Sequence, residues 1–206
     1  MAKQYQRKDH LYQKAKDEGY RSRAAYKLIE LDKRFELLKR GSTVLDLGAW
    51  PGGWLQVAAE RVAHSGTVVG IDLQMIDPLP EPWVRLLCGD ARDEEMRRAL
   101  RELAPRGYST VLSDMSPKLT GIREADSVGT VACGELALFI AQAVLAEEGK
   151  LAIKLFKSNE SEQFVKSMRS MFNTVKRVEL DATRSSSNEF YVVGIGFKNS
   201  SGLIGS

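Results

Sequence analysis

From Ser42 to Phe156 strand-like and helix-like segments take turns, and this alternation constrains the fold more than any other feature of the chain. STVLDLGA (42–49), GTVVGIDL (66–73), VRLLCGD (84–90), YSTVLSDM (108–115) and KLAIKLF (150–156) read as strands. WLQVAAERVA (54–63), RDEEMRRALRELA (92–104) and GELALFIAQAVLAEE (134–148) read as the helices between them, with Met96, Leu100 and Leu103 at helical spacing. Gly149 is the expected C′ residue of the last of these. In the next helix Asn159 is the expected N-cap, with Glu162 three residues on and Phe164, Val165, Met168, Met171 and Phe172 as its apolar stripe. Strands that are apolar almost throughout need cover on both faces, so the pattern predicts an α/β fold with a mostly parallel sheet between helices. TVKRVEL (174–180) and EFYVVGIGF (189–197) have no helix between them, which predicts an antiparallel pair at the end of the chain.

The 206 residues and 43% hydrophobic content suit one core. The boundaries expected are a basic, helical extension over 1–40, an α/β domain over 41–198 and a frayed tail over 199–206. Residues 1–40 hold 12 Lys/Arg against 6 Asp/Glu, while the remainder holds 18 against 21. A leading segment that meets a polyanion and a merely solvated basic helix explain that asymmetry equally well. There is no run of 18 apolar residues and no apolar stretch behind the basic N-terminus, so neither a membrane span nor a secretory signal is expected. Cys88 and Cys133 read as small core residues of a reduced, cytoplasmic protein. His10 and His64 have no partner at metal-ligand spacing, and no metal is expected.

LDLGAWPGGW (45–54) runs from the first strand into a glycine-rich turn, the usual seat of a ligand in an open α/β sheet. Gly48, Gly52 and Gly53 let the main chain approach a ligand, or simply make a tight turn. The order Gly-Ala-Trp-Pro-Gly-Gly does not match the G-x-G-x-x-G dinucleotide fingerprint, and Pro51 removes an N–H that a pyrophosphate would use. The P-loop pattern is absent too. Asp72, 20 residues after Gly52, is placed to accept from both hydroxyls of a ribose, which fits any adenosine-containing cofactor. Asp90 is suited either to an adenine amino group or to capping the helix after it.

Lys154 interrupts the apolar strand LAIKLF, where an unpaired ammonium would be costly. Asp114 ends the fourth strand in SDMSP, Glu189 opens the last, and Lys27 lies in RSRAAYKLIEL; seen alone, Lys27 is best explained as a solvated helix residue.

RSRAAYKL, LDLGAWPGGW, SDMSPKLTG, KLF and SNEFY follow one another in the order of the FtsJ/RrmJ family of ribosomal RNA 2′-O-methyltransferases, which the chain resembles from about Tyr20 to Phe197. The resemblance implies a Rossmann-like fold dependent on S-adenosylmethionine (SAM), with one antiparallel strand. It places a catalytic tetrad on Lys27, Asp114, Lys154 and Glu189, and cofactor contacts on Gly52, Trp54, Asp72, Asp90 and Asp114 beside the turn glycines Gly48 and Gly53. It further implies that the basic N-terminal segment helps to hold RNA and that the substrate is a uridine of large-subunit ribosomal RNA or of the assembled subunit; a monomer is expected by default. Trp50 and Lys118 depart from the family pattern, which has a small residue and a small polar residue there.

The chemistry is consistent with that implication. A ribose 2′-hydroxyl is a weak nucleophile and needs a base or an electrostatic partner for the developing alkoxide. Lys154 serves as base if burial and Lys27 lower its proton affinity against the pull of Asp114 and Glu189. Lys3, Arg7, Lys8, Lys14, Lys16, Arg21 and Arg23, interleaved with Tyr5, Tyr12 and Tyr20, suit phosphate contacts and base stacking. Transfer RNA methylation and a non-catalytic ribosome-assembly factor are the alternatives, and an NAD-dependent dehydrogenase is disfavoured by the turn spacing.

Overall fold

The computed structural model describes residues 3–117, 123–183 and 187–198, with side chains described outside 3–9 and 123–127. Lys118, the expected tail over 199–206 and the side chains of Lys3, Tyr5, Arg7 and Lys8 therefore lie outside the described residues. The chain runs α1 (Lys3–Asp17), α2 (Ala25–Phe35), β1 (Thr43–Leu47), α3 (Gly53–Val62), β2 (Thr67–Asp72), β3 (Val84–Cys88), α4 (Glu94–Leu103) and β4 (Tyr108–Ser113). It continues through α5 (Arg123–Val144), β5 (Leu145–Phe156), α6 (Asn159–Met168), β6 (Phe172–Val178) and β7 (Glu189–Phe197).

The strands form a seven-stranded sheet in the order β3-β2-β1-β4-β5-β7-β6. Every neighbouring pair is parallel except those of β7, which runs antiparallel to both β5 and β6. This is the expected sheet, with its one antiparallel strand. Successive strand residues point to opposite faces, so Val44 and Leu45 enter different apolar clusters. Leu45, Val69 and Val111 pack with Leu100 of α4, Ile140 of α5 and Phe164 of α6. Val44, Val68, Leu112 and Tyr191 pack with Leu28 and Leu31 of α2 and Val57 of α3.

Four local expectations change. The α2 helix is not outside the core, because Ala25, Leu28 and Leu31 are fully buried. Its C-terminal end is held by the strand below it, where Lys150 Nζ donates to the carbonyls of Phe35 (2.9 Å) and Glu36 (2.7 Å). α5 ends at Val144, and LAEEG joins β5 instead of extending the helix to a Gly149 cap. Pairing with β4 wins over the helical pattern there, and a register shift between Tyr108 and Thr110 absorbs the extra residues. The N-cap of α6 is Ser158, not Asn159: its Oγ accepts from Ser161 N–H while Ser161 Oγ accepts from Ser158 N–H. Cys88 is exposed rather than buried, and both cysteines are free.

Candidate active site

Four parallel strands deliver their carboxyl ends to one edge of the sheet. Asp72 closes β2, Asp90 follows β3, Asp114 follows β4, and the turn 48–53 follows β1. Lys154 comes from near the carboxyl end of β5, and Glu189 from the start of β7. All four residues of the expected tetrad meet. Lys27 Nζ lies 2.5 Å from Glu189 Oε1, and Lys154 Nζ lies 3.1 Å from Asp114 Oδ1. Lys154 also donates to the Asp114 main-chain carbonyl at 2.6 Å. Both ammonium groups are thus buried and paired, which is the condition for a lysine to survive in apolar surroundings. Lys27 is no solvated helix residue; it points inward, on the face that carries Leu28 and Leu31.

Tyr191 joins the two ion pairs. Its hydroxyl donates to Asp114 Oδ1 at 2.6 Å, and Lys27 Nζ sits 5.8 Å from the centre of its ring. Burial pushes the Tyr191 phenol well above its ordinary range, and the Asp114 charge pushes the same way, so it remains a donor. Asp114 Oδ1 accepts from both Tyr191 and Lys154, while Glu189 Oε1 accepts from both Lys27 and Thr183 (2.9 Å). Among the described residues Asp114 Oδ2 and Glu189 Oε2 have no protein partner. Sequence reasoning passed over Tyr191 and Thr183; Glu189-x-Tyr191 at strand spacing, two residues on one face, was the available signal for the first.

In the turn, Gly48 and Gly52 take φ of +72° and +109°, conformations that side chains oppose. A Cβ on Gly52 would stand 2.8 Å from Arg21 Nη1, and one on Gly53 would collide with Ser22 Oγ. These two glycines make room for the chain ahead of α2. Arg21 fastens that chain to two loops at the carboxyl edge of the sheet, donating to the carbonyls of Pro51 (3.3 Å), Asp77 (2.6 Å) and Pro78 (2.7 Å). Arg23 donates to the Ala182 carbonyl at 2.9 Å. Both arginines therefore have internal work beyond the phosphate contacts expected of them.

Trp54 is buried: its indole N–H donates to the Ala24 carbonyl (2.8 Å), and its ring packs 6.1 Å from that of Tyr191. Its side chain is spent on packing, which leaves the main chain at the start of α3 for a ligand. Trp50 is half exposed, and its backbone N–H donates to Asp72 Oδ2 at 3.0 Å. Asp72 Oδ1 accepts from Gln74 N–H at 2.8 Å, so the carboxylate is fixed before any ribose arrives. Asp90 is not the cap of α4. Its carboxylate is gripped by Arg92, whose hydrogen bonds hold it down at about 2. Asp46 on β1, unremarked in the sequence, is fully buried with Oδ2 unpartnered among the described residues. Burial raises its carboxyl well above the usual range, and the charges of Asp114 and Asp72 raise it further.

These groups suit SAM. Its adenine amino group, ribose hydroxyls, α-ammonium and sulfonium are all donors or cations, and the edge offers four carboxylates, one with an orphaned buried oxygen. Among the described residues no His, Cys, Asp or Glu group is arranged to hold a metal, and no helix is long and apolar enough to cross a membrane.

The chain is similar to known methyltransferases over most of its length. The profile of a family described as FtsJ-like methyltransferase matches residues 20–197. A ribosomal RNA large subunit methyltransferase E of Halorubrum lacusprofundi is 44% identical over 92% of this chain and 71% of its own length. Its namesake in Methanothermobacter thermautotrophicus is 42% identical, covering 96% of this chain and 95% of its own. Among solved structures, one described as a ribosomal RNA methyltransferase from Plasmodium falciparum superposes with a TM-score of 0.76 at 27% identity, over 86% of this chain and 98% of that one.

Proposed function

The chain belongs to the FtsJ-like methyltransferase family, and from that premise we propose that it moves the methyl group of SAM to a ribose 2′-hydroxyl of large-subunit ribosomal RNA. The observation that carries the reading is the buried Lys154–Asp114 pair next to the Lys27–Glu189 pair, at the edge where the cofactor carboxylates converge. The relatives named for large-subunit ribosomal RNA favour that substrate over transfer RNA. A binding factor without catalysis has no use for two lysines buried around one tyrosine.

Asp72 would accept from the cofactor ribose, Asp90 from its adenine amino group once Arg92 yields an oxygen, and Asp46 and Asp114 would favour its cationic end. The start of α3 offers main-chain N–H groups, through Gly53 and Trp54, to its carboxylate. Bound there, SAM supplies an electrophilic methyl on a sulfonium. The substrate 2′-hydroxyl would take that methyl while the sulfonium leaves as the neutral thioether, and Lys154, as the free amine once its ammonium proton has passed to solvent, would take the hydroxyl proton at Nζ. Asp114 aims Lys154 through the contacts to its carbonyl and Oδ1. Lys27 and Glu189 hold the ribose, Glu189 through its open oxygen. Positioning and a general base together supply several powers of ten in rate.

Methyl transfer from labelled SAM to large ribosomal subunits and to their RNA, with transfer RNA as control, tests the assignment. Lys154→Ala is expected to lower turnover by about 10²-fold or more, the usual worth of a general base, while SAM binding persists. Near-normal turnover on bound RNA would remove Lys154 from the mechanism.

A further inference from the structure

We infer that Thr183 is a positioning residue for methyl transfer: with Lys27 it pins one oxygen of Glu189, so that the other faces the substrate ribose. The inference rests on the proposed role of Glu189. Two donors converge on Oε1, Lys27 Nζ at 2.5 Å and Thr183 Oγ1 at 2.9 Å. They approach from different elements, one from α2 and one from the loop between β6 and β7. Together they fix the direction of a side chain that otherwise turns about three bonds. Oε2 has no partner among the described residues, and the Glu189 side chain keeps 10% of its surface exposed, as a carboxylate meant for a substrate hydroxyl should.

Thr183 owes its place to the same helix that supplies Lys27. Glu30, three residues further along α2 and so on the same side, takes the two successive N–H groups of Asp181 and Ala182 on its two oxygens, each at 3.1 Å. Arg34 pairs with Glu30 and donates to the Glu179 carbonyl at 3.3 Å. Arg23 holds the Ala182 carbonyl from the other side at 2.9 Å, and Thr183 N–H closes a turn onto the Leu180 carbonyl at 3.0 Å. A surface loop has little reason to be tied by three charged side chains unless the residue at its end must be held in place. That residue is Thr183, and what it touches is Glu189.

The test compares the full chain with Thr183→Val, which keeps the shape and removes the hydroxyl, and Thr183→Ser, which keeps the hydroxyl. Methyl transfer to large-subunit ribosomal RNA is measured beside SAM binding and thermal stability. Thr183→Val is expected to lower kcat/KM for RNA by roughly 10- to 100-fold, the range for a hydrogen bond to a charged group. Its SAM Kd should stay within about twofold, and Thr183→Ser should recover activity to within about threefold. On a Glu189→Gln background Thr183→Val should cost little more, because the two act as one unit. Full activity in Thr183→Val, equal losses in the Val and Ser variants, or losses that multiply with Glu189→Gln would each overturn the inference. Lys154→Ala, run in parallel, separates the levels. If it is inactive while Thr183→Val is normal, only the role of Thr183 fails; if it too is active, the proposed mechanism fails with it.

Discussion

Asp46 holds a carboxyl group one of whose oxygens has no partner among the described residues, an arrangement that costs stability unless a ligand answers it. Folding raises its affinity for a proton, through burial first and the charges of Asp114 and Asp72 second. A carboxyl raised in this way makes its full contribution to stability below its ordinary value of 3.8 and loses it as pH climbs through the folded value. Asp46→Asn removes that titration. Without cofactor, the variant should therefore gain on the parent as pH rises from 4 to 8, by about 1–3 kcal/mol in thermal or urea unfolding. A gap that stays constant with pH would show that Asp46 is not the group responsible. Lys154, Asp114 and Glu189 stood out in the sequence because lysine in an apolar strand and carboxylates at strand ends have few structural uses, whereas Lys27, which alone reads as a solvated helix residue, was joined to them only by the family resemblance. Asp46 was not, since an aspartate inside TVLDL looks the same whether it is sealed or solvated. The internal duties of Arg21 and Arg23 were hidden for a related reason: sequence shows a cation, not the carbonyls around it.

Elements were legible where their period was long and their ends carried punctuation. The seven strands all formed, and so did the helices between them, because apolar runs and amphipathic stripes outlast small errors of register. Boundaries failed where two local rules competed. In AVLAEEGKLAI the helical pattern and the β4 pairing partner both claim LAEEG, and only the sheet knows that Leu145 lies opposite Tyr108. At the start of α6, Ser-Asn-Glu-Ser offers two possible caps one residue apart. The reciprocal Ser158–Ser161 bonds decide it, and they make a specific prediction. Ser158→Ala should destabilise the protein by about 1 kcal/mol, the usual worth of an N-cap, whereas Asn159→Ala should fall within about 0.5 kcal/mol of the parent. Urea denaturation of the two variants distinguishes them, and the reverse ranking would return the cap to Asn159.

At the scale of the whole molecule, the basic N-terminal region divides into parts with different duties. From Ala15 onward it is built into the fold: Ala15 is buried, Lys14 sits 4.8 Å from the centre of the Tyr26 ring, and the Tyr26 hydroxyl donates to Glu18 at 2.8 Å. Tyr20 then stacks edge-on against Tyr26, and α2 enters the core. Composition alone could not divide the region, since buried Lys27 counts the same as an exposed lysine. Cutting at residue 19 would therefore remove packing together with charge, and a cut after Leu11 is the cleaner experiment. Residues 1–11 contain Lys3, Arg7 and Lys8 against Asp9, and the retained chain keeps Arg21 on the loops beside the cofactor edge. If the leading turns meet RNA phosphates, each cation–phosphate pair removed should reduce the slope of log K against log salt by roughly 0.7–0.9. Removal of residues 1–11 is thus expected to flatten that slope by about 2, weaken RNA binding most at low salt, and leave SAM affinity and thermal stability near those of the full chain. An unchanged slope would assign RNA binding to the folded domain alone, and a parallel loss of SAM affinity would show that α1 supports the fold along its whole length.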